Sequence, residues 1–68
     1  MKVIFFGTNR YLVEQDENDR FGTRVLNICS QDHSGDYIVA TKDINEDFWL
    51  LSDGRKFDDI DVFEREED

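Results

Sequence analysis

A chain of 68 residues makes one domain, and a core of that size supplies no more than about 3–5 kcal/mol of net stability. Hydrophobic content of 38% is too high for a disordered chain even though 37% of residues are charged, so the chain should fold, but there is no room for a cofactor domain. One cysteine excludes an internal disulfide framework and a multi-cysteine zinc site, and a net charge of −9 opposes binding to nucleic-acid phosphates.

The charge is unevenly spread. Residues 43 to 68 carry −8 of the −9, while residues 1 to 13 carry +2. Such polarity creates a field that attracts basic partners and speeds their association until salt screens it.

Lys2 to Phe6 is a β-branched and aromatic run closed by Gly7, apolar in both alternations, which suits a strand buried on both faces. It lacks the apolar length of a signal peptide or a spanning helix, so no membrane partner is expected and the cytoplasm is the expected location. Thr8-Asn9 is turn chemistry. Arg10 to Glu14 has strand propensity, with a short helix near residues 11–19 as the alternative that would give an α+β domain. Gln15 to Arg20 is polar throughout and reads as the exposed end of a hairpin. Its Asp16 and Asn18 echo the start of an EF-hand loop, but neither the required glycine nor the closing glutamate follows.

Thr23 to Ser30 and Tyr37 to Lys42 read as a hairpin. With Ser34-Gly35 as a two-residue loop, Ser30 would face Val39 and both faces would be apolar. No long segment shows the 3.6-residue period of a covering helix, so the sheet is expected to curl onto itself or to pair with a second copy, making a homodimer an open alternative. Asp43 to Asp47 is a polar connection.

Phe48 to Phe63 contains the only tryptophan, an Asp53-Gly54 turn signal and the densest acidic run. Read as a two-residue hairpin loop flanked by Ser52 and Arg55, it places Phe48, Leu50 and Phe57 on the core face and turns Trp49 and Leu51 outward beside Asp58. Asp58 to Phe63 then fits a short edge strand or a 3₁₀ turn, and Glu64 to Asp68 a frayed acidic tail beyond a domain of residues 1–63. The expected fold is all-β, a small SH3-like or otherwise curled antiparallel barrel of five or six short strands.

Nothing in the chain assembles a catalytic group. His33 sits in a predicted turn, and Cys29 on a strand four residues back cannot reach it as a nucleophile–base pair. The isolated glycines form no phosphate-cradling loop, so no nucleotide cofactor is expected. Asp58, Asp59 and Asp61 are split by strand alternation, which disfavours a metal site, although a small metal-dependent domain built on them or on His33 stays open as a second function class. A structural or assembly subunit that pairs its apolar sheet is a third.

The expected function is a non-enzymatic binding protein, an inhibitor or adaptor, that docks on a basic surface of another protein. Its contact patch is read as Trp49, Leu51, Asp58, Asp59, Asp61, Phe63 and Glu64, with apolar anchors for residence and carboxylates for steering. In its composition the chain is similar in character to inhibitors that imitate the charge of DNA to block nucleic-acid-binding proteins.

Overall fold

The computed structural model describes residues 1–18, 21–30 and 37–67. Seven antiparallel strands make a single sheet: β1 (Lys2–Phe6), β2 (Asn9–Asn18), β3 (Thr23–Ser30), β4 (Tyr37–Asp43), β5 (Phe48–Leu51), β6 (Lys56–Asp58) and β7 (Val62–Glu66). A single 3₁₀ turn, Asp59–Asp61, links β6 to β7. The order across the sheet is β6-β5-β4-β3-β2-β1-β7, so β6 and β7, consecutive in the chain, lie at opposite edges.

That order requires strong curling. Five strand spacings separate β1 from β6, about 24 Å in a flat sheet, yet the rings of Phe6 and Phe57 lie 5.5 Å apart and those of Phe6 and Trp49 5.8 Å. The sheet therefore wraps around Phe6 as a half-barrel. Ile4, Phe6, Tyr11, Leu26, Ile28, Ala40, Trp49 and Leu51 fill its concave side. Lys2 to Phe6 contributes both alternations, because Val3 is buried on the convex side while Phe5 packs there against Phe63.

The all-β curled barrel is as the sequence suggests, with seven strands in place of five or six. Over the described residues 11–18 the chain is strand and not helix. β2 instead runs ten residues, its first part (Asn9–Leu12) paired with β1 and the rest, from Tyr11 to Asn18, with β3.

Three local expectations are corrected. The β3–β4 hairpin pairs Cys29 with Tyr37, Ile28 with Ile38 and Leu26 with Ala40, so Leu26, Ile28, Ile38 and Ala40 share the core face, and the apolar residues are sorted better than a loop at Ser34-Gly35 would allow. That loop and His33 lie outside the described residues. The second correction reverses a face. β5 and β6 pair Trp49 with Phe57 and Leu50 with Lys56, one residue out of the expected register. The loop has three residues, not two: the Gly54 N–H donates to the Leu51 carbonyl at 2.9 Å and the Leu51 N–H to the Arg55 carbonyl at 2.9 Å. Gly54 at φ 98° takes the left-handed position that ends such a loop. A one-residue slip exchanges the two faces of a strand. Trp49 and Leu51 consequently point inward, 2% and 4% exposed, and Phe48 and Leu50 look outward.

Third, Glu64 to Glu66 belong to β7 and are not a frayed tail. Pairing of Lys2 with Glu66 and Ile4 with Glu64 extends the ladder, and the Glu67 N–H donates to the Met1 carbonyl at 2.7 Å.

The burial of Trp49 gives a clear expectation. Truncation of a core tryptophan costs about 3–5 kcal/mol, comparable with the whole stability of so small a domain. Trp49→Ala should lose the β-sheet circular dichroism at room temperature, whereas Leu50→Ala, on the outward face, should shift the urea midpoint only slightly. A folded Trp49→Ala domain would show that the core does not depend on the indole.

Candidate functional site at the barrel mouth

Because β6 and β7 do not pair, the half-barrel has an open seam. A groove of about 510 Å³ lies on its β7 side, lined by Gly22, Arg24, Lys42, Ile44, Trp49, Asp59, Val62 and Glu64. Every wall comes from a different element. β3 and β4 present Arg24 and Lys42 as directly paired neighbours, β5 presents the edge of Trp49, and β7 presents Val62 and Glu64. The turn before β3 closes one end, where the Ile44 N–H donates to the Gly22 carbonyl at 2.8 Å. Gly22 has φ 92°, and a Cβ there would stand 2.7 Å from Ile44 Cγ2, so this close approach requires glycine.

Arg24 spans the groove floor. Its Nε and Nη2 donate to Asp16 Oδ1 and Oδ2 at 3.2 and 2.7 Å, and its Nη1 and Nη2 donate to Glu64 Oε2 and Oε1 at 2.7 and 2.6 Å. Both carboxylates are thus engaged bidentately, the geometry that makes arginine–carboxylate pairs strong. The guanidinium carbon also lies 5.8 Å from the Trp49 ring centroid. Asp16 reaches Arg24 because β2 is bulged between Val13 and Gln15: the extra residue puts Asp16 opposite Leu26, on the concave face, where a regular strand would have put Gln15. Lys2 Nζ donates to Asp16 Oδ2 at 2.9 Å, completing a chain of four charges from β1 to β7. Arg24 in particular, and Lys2, hold the Asp16 carboxyl down at about 2, against the opposing effect of burial. Glu64, and then Asp16, strengthen the hold of Arg24 on its proton.

The rim differs from the floor. Two acidic segments, residues 43–47 and 58–61, are joined where the Asp59 N–H donates to the Asp47 carbonyl at 2.9 Å. Among the described residues, Asp43, Glu46, Asp47, Asp58, Asp59 and Asp61 form no ion pair; the described bases other than Lys42 are paired with acids elsewhere or, for Lys56, set over the Phe48 ring. Two large apolar side chains stand among these acids, Ile44 at 71% and Ile60 at 90% exposure.

The residues expected to form one contact patch are therefore divided. Asp58, Asp59 and Asp61 are exposed together on the rim. Trp49 meets them only through its indole Nε1, which donates to Asp59 Oδ1 at 3.0 Å, so the expected accessible tryptophan is corrected to a buried one with a single edge on the groove. Leu51 is core. Phe63, 60% exposed, lies on the convex face against Phe5, and Glu64 is committed to Arg24. Asp43, Glu46 and Asp47, read from sequence as a polar connection, and Ile44 and Ile60 were outside the expected patch. Their signal was present in the string DINED, which like DDID sets an isoleucine among acids.

Among the described residues, no group of three or more His, Cys, Asp or Glu side chains is arranged to hold a metal ion. Cys29 donates its thiol to Glu14 Oε1 at 3.3 Å, and desolvation, aided by that carboxylate, raises its pKa, the opposite of what a reactive thiolate needs. Among the described residues, no helix is long and apolar enough to cross a membrane. Neither family models, curated proteins nor solved structures provide a match to this chain.

The lowered Asp16 pKa fixes a pH dependence. A carboxyl held below its unfolded value stabilises the fold above about pH 4, and that contribution disappears as pH falls through its folded value near 2. Discounted for solvent screening, the effect is about 1 kcal/mol. Urea titrations between pH 5 and pH 2 should show this loss in the native protein. In Asp16→Asn the corresponding part of the slope should be missing, and an identical slope would remove Asp16 from the network.

Proposed function

We propose that this is a non-enzymatic binding protein, an inhibitor or adaptor, whose acidic rim docks on a basic surface of another protein. The observation that supports the reading best is the distribution of charge: six rim acids without an ion pair, gathered from two separate segments, while the described bases apart from Lys42 and Lys56 are engaged with acids elsewhere. Clustered like charge costs folding stability through self-repulsion, and a complementary partner relieves it. Ile44 and Ile60 supply apolar contact within the charged field, the combination in which electrostatics sets the rate of encounter and buried apolar area the residence time.

A basic target of this kind includes the sites of nucleic-acid-binding proteins, whose phosphate-facing surfaces are lysine- and arginine-rich. On this reading the charge that would imitate DNA is carried by the rim of residues 43–47 and 58–61. A cytoplasmic setting belongs to the same proposal, supported by the free Cys29.

Capture of partners from lysate at low and at high salt, with the native protein and with a variant carrying Asp47→Lys, Asp58→Lys and Asp61→Lys, tests this. The native protein should retain a basic protein at low salt and bind it at a rate that falls steeply with ionic strength. The variant should associate at least about tenfold more slowly, with a flattened salt dependence. Equal capture by the two proteins would reject docking through the rim.

A further inference from the structure

We infer that the seam of the half-barrel is a strand-capture groove, in which an extended segment of the partner, alternating apolar and basic residues, pairs its backbone with β7. This rests on the acidic-docking reading above and names the form of the partner.

β7 pairs with β1 on one side, and on the other has no strand partner among the described residues. Its five residues contain neither proline nor a bulge, so the outer row of backbone donors and acceptors is open to an added strand. Beside that edge, instead of β6, is the groove, with Val62 and the edge of Trp49 on its walls and Ile44 at its end. Main-chain bonding along an edge provides affinity in such complexes, and pockets for alternate side chains provide specificity.

Charge selects the occupant. A second copy of this chain fits poorly: two β7 strands set antiparallel about their midpoint would put Glu64 against Glu64 and Val62 beside Glu66, with like charges opposed. A basic strand meets the reverse situation at the start of β7, where Asp59 and Asp61 precede Val62, and the one cation of β7, Arg65, is paired with Glu67. The interior of the groove, however, carries Arg24, already shared between two carboxylates, and Lys42, which forms no ion pair among the described residues. Cations are thus unwelcome inside and favoured at the rim. An alternating strand satisfies both, its apolar side chains turned toward Val62, Ile44 and Trp49 and its lysines or arginines toward the rim acids.

The only tryptophan lines the groove, so its fluorescence reports occupancy directly. The probes are three blocked seven-residue peptides added to the intact protein: alternating Val and Lys, the same sequence fully N-methylated, and alternating Val and Glu. The Val–Lys peptide should shift Trp49 emission, slow amide hydrogen exchange in Val62–Glu66, and bind at least tenfold more tightly than either other peptide. Equal binding of the Val–Lys peptide and its N-methylated form would overturn strand capture while leaving acidic docking intact, because side-chain charge alone would account for it. No binding of the Val–Lys peptide, or binding without protection of β7, would likewise overturn the inference, whereas the lysate experiment judges the docking reading separately.

Discussion

Arg24 holds together a sheet that its strand order leaves open. β6 and β7 never pair, so the curl of the half-barrel must be fixed by something other than a closing ladder of hydrogen bonds. Four donor contacts from one guanidinium, two to Asp16 on β2 and two to Glu64 on β7, tie β3 to the far edge across the concave space. A half-buried arginine shared between two carboxylates loses less to desolvation than a lone pair would, since both fork faces are satisfied. The Trp49 ring nearby shields the same pairing from water on one side. What the barrel lacks in backbone closure it has in this side-chain bridge.

The bridge also explains why the groove exists. A ladder between β6 and β7 would fill the seam with backbone, whereas a long side chain reaching across the floor leaves room above it. The apolar core stays below: Phe6 meets Tyr11, Trp49 and Phe57 at ring separations of 5.5 to 5.9 Å, edge-on or tilted, as aromatic quadrupoles prefer. Arg55, which donates to the Tyr11 hydroxyl at 2.7 Å, ties the β5–β6 loop to β2 at another part of the wall. Packed residues, ionic floor and acidic rim are thus three consecutive layers of one structure, and the edge of Trp49 carries the first of them into the groove. Rim and core meet at one point, where Asp59 accepts the indole N–H of Trp49.

Much of this was legible in the chain itself. The β-branched and aromatic runs and the absence of any long helical period determined an all-β domain that must curl, and the bias of residues 43 to 68 determined where acid would accumulate. Tertiary structure decided the faces. Asp53-Gly54 signals a turn, but whether the loop contains two residues or three depends on whether burying Trp49, Leu51 and Phe57 together is better than burying Phe48, Leu50 and Phe57. Packing against Phe6, four strands away in the sheet from Trp49, favours the former, and local propensity carries no information about that contact. The same holds for Asp16 and Glu64. They lie 48 residues apart in sequence, look like ordinary surface acids there, and become a structural pair only because a bulge in β2 and the curl of the sheet bring both within reach of Arg24.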